Sequence, residues 1–162
     1  MNTSFVMYEE EFERIKHLLN TLRMDASAKI VFLVDKNGQQ IAGAGEVNLV
    51  DSTSLASLTA GNVAATDGLA RLIGEKEFSI LFHEGRKDNI HISIVGQKLI
   101  LVVIFDERSS LGLVRLRVRK ASADIERVLN EMDSKAQVVG SVEAASPFAE
   151  ITDDDIDALF SE

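Results

Sequence analysis

Two short segments of the sequence are apolar at every position, and they limit the folds open to the chain. Residues 30–34 read IVFLV and residues 99–105 read LILVVIF. A strand with one face in water alternates apolar and polar residues, whereas an unbroken apolar run is typical of a strand covered on both faces. We therefore expect two central strands of a sheet that is buried on both sides.

Helical spacing predicts one helix before the first of these strands and another between the two. The helix over residues 8–24 carries apolar residues on one stripe: Phe12, Ile15, Leu19 and Leu22. Asp51 is a candidate N-cap for the second helix and Gly74 a candidate C-terminal glycine. The apolar stripe of this second helix, which polar Asn62 interrupts, consists of Leu55, Leu58, Ala65, Leu69 and Leu72.

Three further strands complete the sheet. The Asn37-Gly38 pair predicts the turn of a hairpin over residues 29–45, because this pair accepts positive φ angles. Strands follow over residues 78–83 and 89–95. In the second of them isoleucines alternate with polar residues, which predicts one buried and one exposed face. The isoleucines are Ile90, Ile92 and Ile94, and the polar residues are His91 and Ser93.

The segment after the last strand fits two periodicities. Residues 114–119 alternate with period two, as in a strand, but the window 111–132 keeps helical spacing, and its length favours a helix. The predicted order is helix, hairpin, long helix, three strands and helix. This order indicates an α+β sandwich with a five-stranded, antiparallel-rich sheet, and we assign it to residues 1–135.

The negative charge of the chain is concentrated at its C-terminus. The 162 residues include 17 basic and 26 acidic side chains, for a net charge of −9. Residues 136–162 alone carry −7, which leaves −2 for the rest. This balance argues against nucleic acid as a partner, since phosphate binding requires a basic surface. Residues 136–146 are small and unpatterned, and we expect them to form a flexible linker.

The final segment, residues 147–162, has the pattern of a short acidic docking helix. Thr152 and Asp155 have the spacing of a capping box, and Ile151 and Ile156 that of a hydrophobic staple. Leu159 and Phe160 extend the apolar face. A helix this short is marginal alone in water. It therefore either folds back onto its own domain or docks in a groove of a partner.

Few residues suit catalysis or metal binding. The chain has no cysteine, and His17, His83 and His91 lack the spacing of metal ligands, so surface or packing roles are expected for them. Gly43-Ala44-Gly45 is too short a match to indicate a phosphate loop. The longest apolar run has seven residues, too few to span a membrane, and the N-terminus lacks the basic region of a signal peptide. We expect no catalytic residue, metal or cofactor.

Two features admit both a structural and a binding interpretation. The cations Arg115, Arg117, Arg119 and Lys120 form either a solvated helix face or a docking site for an acidic segment, including the chain's own tail. Small residues recur every four positions on the second helix: Ala56, Ala60, Ala64 and Gly68. Missing side chains permit close approach of a backbone, which belongs either to this protein's own sheet or to a twin subunit or partner.

Three segments carry a resemblance to a known family. Residues 51–65 read DSTSLASLTAGNVAA, residues 82–85 read FHEG, and residues 101–115 read LVVIFDERSSLGLVR. In these segments and in its order of elements the chain resembles the roadblock family, in particular the bacterial regulators of gliding motility and cell polarity. The resemblance covers nearly the whole chain, including residues 146–151.

The resemblance implies a homodimer whose two central helices lie side by side, with the sheets joined across the subunits. It also implies a partner, an MglA-type small Ras-like GTPase, whose hydrolysis the dimer stimulates by repositioning the GTPase's own catalytic residues without donating an arginine. By position, the GTPase-facing residues are Ala60, Val63, Ala64, Asp67, Gly68 and Arg71. The docking residues of the C-terminal segment are Phe148, Ile151, Ile156, Leu159 and Phe160. The Thr66-Asp67 pair departs from the uncharged pair expected there.

The sequence leaves three candidate functions for this protein. The first is GTPase activation by a cytoplasmic protein enriched at one cell pole. The second is a scaffold that tethers a GTPase or polarity protein without stimulating hydrolysis. The third is a small-ligand enzyme that uses Gly43–Gly45 or the histidines, and the sequence favours it least.

Overall fold

The computed structural model describes residues 7–144, with side chains described to residue 137. Its helices are α1 (Glu9–Asp25), α2 (Ser52–Leu72) and α3 (Leu111–Ala144). Its strands are β1 (Ile30–Asp35), β2 (Gln40–Gly45), β3 (Ile80–Glu84), β4 (Asn89–Val95) and β5 (Leu99–Phe105). The predicted order and α+β class are confirmed. The chain divides into two compact units, Met1–Val128 and Leu129–Glu162, and the packing below concerns the first.

The five strands form one antiparallel sheet in the order β2-β1-β5-β4-β3. Every residue of β1 and of β5 is buried, as their unbroken apolar runs predict. The two strands are neighbours, and Phe32 of β1 lies opposite Val102 of β5. Strand β3 is one edge of the sheet, and its Ile80 is 48% exposed.

Helices cover both faces of the sheet. One core cluster joins α2 to the strands through Ala60 and Val63 of the helix and Phe32, Ile92 and Val102 of the sheet. Neighbouring strand residues point to the opposite face. On that face lie the buried stripes of α1 and of the first half of α3, which contribute Ile15, Leu19, Leu22, Val114, Val118 and Ile125.

The hairpin between β1 and β2 has the turn that its sequence predicts. Gly38 has a φ angle of +89°, and Oδ1 of Asp35 accepts hydrogen bonds from the backbone N–H groups of Asn37 and Gln39, each at 2.9 Å. A side chain at Gly38 would also crowd Ser57 of α2, since a Cβ atom there would lie 3.1 Å from the Ser57 Cα. The hairpin therefore packs closely against the first half of α2.

The exposed face predicted for β4 is wrong. His91 is completely buried and Ser93 is 5% exposed, although both are polar. The reason is that α3 covers the side of the strand on which they lie. On the other face Ile92 is buried, and the half-buried residues of β4 are Asn89, Ile90 and Ile94.

Burial of His91 makes stability depend on pH. Burial, and then the charge of Arg115, lower the pKa of His91 below its ordinary value. The unfolded chain therefore binds a proton that the folded chain excludes, and the stability present above about pH 6.5 is lost as the pH falls towards the folded pKa. Urea unfolding at about pH 7.5 and at about pH 5.5 gives the free energy of unfolding at each pH. Between the two, this free energy should fall more for the wild type than for His91→Gln, and equal decreases would contradict the role of His91.

The third helix is longer than predicted. Helical structure runs to Ala144 and so covers most of the expected linker over residues 136–146. Residues 133–144 contain several good helix formers and no proline, and the first helix-breaking residue after them is Pro147. Gly140 alone does not end the helix. The predicted acidic docking helix, residues 147–162, lies outside the described residues.

Candidate interaction surface on the central helix

Both ends of α2 are capped as the sequence predicts. Oδ1 of Asp51 accepts a hydrogen bond from the Ser54 N–H at 3.1 Å, and the Ser54 hydroxyl donates to Oδ2 at 2.8 Å. The bond from the Ser54 side chain, followed by that from its backbone N–H, lowers the pKa of Asp51. At the other end Gly74 has a φ angle of +83°, and the Glu75 N–H bonds to the Ala70 carbonyl at 2.9 Å. Such a Schellman motif stops a helix cleanly.

The face of α2 that packs on the sheet is made of small and medium side chains. Its buried residues are Ala56, Thr59, Ala60, Val63 and Ala70. Two residues assigned to the GTPase-facing surface, Ala60 and Val63, are therefore in the core, only 8% and 4% exposed. Because the sheet already supplies large side chains such as Phe32 and Ile92, only a helix with a small-residue face can approach it closely.

Most of the apolar stripe recognised in the sequence lies in solvent, and of its five residues only Leu55 packs partly against the core. Leu58 is 72% exposed, Leu69 58% and Leu72 82%, and Ala65 between them is also exposed. We call these four residues the leucine stripe. Ala65, Leu69 and Leu72 follow one another at helical spacing, whereas Leu58 lies two turns before Ala65, beyond polar Asn62. Exposed apolar patches of this kind mark interaction sites.

The other assigned residues lie beside this stripe. Ala64, Gly68 and Arg71 are exposed, and Asp67 is half-buried; we call these four the small-residue face. A Cβ atom placed on Gly68 would meet nothing within 4 Å. Oδ1 of Asp67 is buried yet has no hydrogen-bond partner among residues 7–144. The face thus offers accessible helix backbone at Ala64 and Gly68, whereas Oδ1 of Asp67 is turned away from solvent.

The glycines considered for a phosphate loop have a structural role. Gly43 and Gly45 lie in β2, where a side chain on Gly43 would contact the Phe32 ring and Gly45 has a φ angle of +88°. These glycines are explained by the packing of the sheet. No group of residues that could hold a metal ion occurs within 7–144. None of the described helices is both long and apolar enough to cross a bilayer.

The leucine stripe is the feature that sequence reasoning misplaced. A helix that carries large apolar residues on one face and small ones on another can bury only one of them against its own sheet. The small residues at four-residue intervals are the sequence feature that indicates where another backbone can approach the helix closely. Ala56 and Ala60 of this series face the sheet, whereas Ala64 and Gly68 are exposed, and the leucines lie outside the sheet-facing side.

Comparisons with known proteins agree with this architecture. The Roadblock/LC7 domain model matches residues 15–105. MglB from Myxococcus xanthus is 59% identical, with 78% of this chain and 96% of that chain aligned at a TM-score of 0.74. The gliding protein MglB from Thermus thermophilus is 31% identical, with 81% and 99% aligned at a TM-score of 0.75.

A third structure, a Roadblock/LC7 domain from Streptomyces avermitilis, is 13% identical, with 70% and 96% aligned at a TM-score of 0.63, and shows the shared fold alone. No protein of curated function matches the chain. The family model and the two MglB structures agree over most of the sequence. The chain therefore belongs to the Roadblock/LC7 family.

Proposed function

We propose that this chain is a GTPase-activating regulator of an MglA-type small Ras-like GTPase. The observation that carries the proposal is the 59% identity to Myxococcus xanthus MglB over 96% of that chain. A helix with two exposed, chemically distinct faces fits such a role, because an activator that acts as a dimer needs one surface for its twin and another for the GTPase.

The leucine stripe forms the homodimer contact in this proposal. A two-fold axis places the same patch of both subunits against itself, so the exposed Leu58, Leu69 and Leu72 of one α2 pack on their counterparts. Strand β3 is an edge of the sheet, and its pairing with a second β3 would join the two sheets. The two contacts would bury apolar side chains that a single subunit leaves exposed to solvent.

The small-residue face binds the switch region of the GTPase. Ala64 and Gly68 leave room for a switch segment to lie against the helix backbone. The charge of Asp67, at a position where an uncharged pair was expected, would influence which GTPase is bound. Ala60 and Val63 take no direct part because they are buried.

The chain contributes positioning and no reacting group. Phosphoryl transfer depends on placing the attacking water and on stabilising charge at the γ-phosphate, and a GTPase can supply the residues for both. Binding at the switch region then holds those residues in the productive arrangement. Arg71 is the only arginine of α2, and we assign it to binding rather than to catalysis.

The C-terminal segment adds a second attachment to the GTPase, away from the switches. Removal of residues 147–162 is expected to leave the dimer intact and to weaken GTPase affinity or slow nucleotide exchange, since the docking residues Phe148, Ile151, Ile156, Leu159 and Phe160 are lost. Light scattering and a nucleotide-release assay measure the two effects. If truncation dissociates the dimer instead, the segment has a structural role.

The competing function is a scaffold that tethers the GTPase without stimulating it. Hydrolysis of GTP by an MglA-type GTPase, measured with and without the purified chain, separates the two. Acceleration supports the activator, whereas binding at an unchanged rate selects the scaffold. Both the activator and the scaffold are expected in the cytoplasm, enriched at one cell pole. The position of a fluorescent fusion in a polarised cell tests this location.

A further inference from the structure

A cavity of about 330 Å³ lies between β4 and α3, within the first unit. Two buried residues of β4 and four residues of α3 line most of it: His91, Ser93, Arg115, Val118, Arg119 and Ser122. The helix positions are three or four residues apart and so share one face of α3. The cavity is on the side of the sheet opposite α2, where the leucine stripe and the small-residue face lie. Ser79 and Ile80, at the start of edge strand β3, complete its lining.

Polar atoms inside this cavity lack partners. His91 is 0% exposed, and neither Nδ1 nor Nε2 forms a hydrogen bond within the described part of the chain. The Ser93 hydroxyl, in a residue that is 5% exposed, is likewise without one. Buried polar groups are nearly always hydrogen-bonded, and these two groups remain available to a molecule that enters the cavity.

The cavity also has an excess of positive charge. Arg115 and Arg119 lie one turn apart, and none of the residues lining the cavity is acidic. Neither arginine forms an ion pair with a carboxylate in residues 7–144. The site therefore combines two guanidinium groups, an imidazole and a hydroxyl, all of which can donate hydrogen bonds, and no carboxylate is among the described residues that line it.

We propose that this cavity binds the phosphoryl group of a small phosphorylated molecule, a binding site that goes beyond the proposed GTPase regulation. The donors come from two elements, strand β4 and helix α3, and two of them are cations, which suits the several oxygens and double charge of a phosphoryl group better than a singly charged carboxylate. The volume is at the lower end for small-molecule sites. Val118 and Ile80 supply apolar wall for a small organic part.

In the complex each protein group has a defined task. Arg115 and Arg119 bind the outer phosphoryl oxygens, and Ser93 donates its hydroxyl proton to one that enters the cavity. His91 donates a ring N–H. Because the anion favours the charged imidazolium, binding should raise the pKa of His91, against the direction that burial and Arg115 set.

The test is a titration of the full chain with phenyl phosphate, followed by phosphorus NMR and by the imidazole nitrogen signals of His91. We expect saturable binding and a shift of the His91 signals towards the protonated form. Arg115→Ala and Arg119→Ala should each weaken binding about tenfold. Lys120→Ala is the matched control: it removes an exposed cation beside Arg119 that does not line the cavity, and it should change affinity little.

Four results would overturn the proposal. Absence of saturable binding up to about 10 mM phenyl phosphate would exclude a built site. An equal loss in Lys120→Ala would show diffuse attraction to a basic surface. Displacement by benzoate at the same concentration would refute the choice of a phosphoryl group. Binding of inorganic phosphate as tight as that of phenyl phosphate would refute the contribution of the apolar wall.

Discussion

Replacing Ala64 and Gly68 together with arginine is expected to return GTP hydrolysis by the partner GTPase to its intrinsic rate. Both positions are exposed, and a Cβ atom on Gly68 meets nothing in the subunit, so the fold should tolerate the change. Two long cationic side chains would occupy the space in which a switch segment approaches the helix backbone. Single-turnover hydrolysis and a pull-down with the GTPase measure stimulation and binding, and both should be lost.

The matched control places the same two substitutions on another exposed helix surface. Gly112→Arg and Ala123→Arg in α3 add the same charge and volume at an exposed glycine and an exposed alanine, and a Cβ atom on Gly112 also meets nothing within 4 Å. This control should bind and stimulate like the wild type. If the Ala64/Gly68 variant still activates, the small-residue face is not the GTPase surface.

Substitution of Leu69 and Leu72 by glutamate is expected to convert the dimer into a folded monomer. Burial of one leucine side chain contributes about 1.5–3 kcal/mol, and a two-fold interface counts each substitution twice, so the loss is on the order of 6 kcal/mol before the cost of burying charge. That weakens dimerisation about 10⁴-fold. Light scattering at about 10 µM protein gives the mass, and circular dichroism confirms the fold.

Leu116→Glu is the control for the effect of exposed leucines in general. Leu116 lies on α3 and is 58% exposed, the same fraction as Leu69. The proposed interface excludes it, so its substitution should leave the mass of the dimer unchanged. A dimer that survives glutamate at both Leu69 and Leu72 would show that the leucine stripe is not the contact between subunits.

The parts of the fold that could be predicted are those in which local sequence and burial agree. The unbroken runs of β1 and β5 indicate central strands because no polar residue interrupts them, and Asn37-Gly38 suits only a tight turn. Strand β4 was different, since polar His91 and Ser93 are normally solvated. Their burial depends on α3, which is distant in sequence, so the pattern of the strand alone could not reveal it.

The candidate site was harder to predict than the fold. The rule that large apolar residues face a protein's own core places the leucines of α2 inside, whereas the structure places Ala56, Ala60 and Val63 there. An interface between identical subunits has the composition of a core, so one sequence does not distinguish a side chain buried by its own chain from one buried by its twin. The face of α2 that is buried within the subunit is the one that packs closely against Phe32, and only the structure shows this contact.

We propose above that this protein activates a GTPase by positioning groups that the GTPase already has. Single-turnover GTP hydrolysis by an MglA-type GTPase, saturated with either the wild type or Arg71→Ala, tests it most directly. We expect marked acceleration by the wild type, and acceleration of similar size by the variant at saturation, because Arg71 only aids binding. No acceleration by the wild type, or a loss of about 10³-fold or more in the bound Arg71→Ala complex, the size expected for a donated arginine, would contradict the claim.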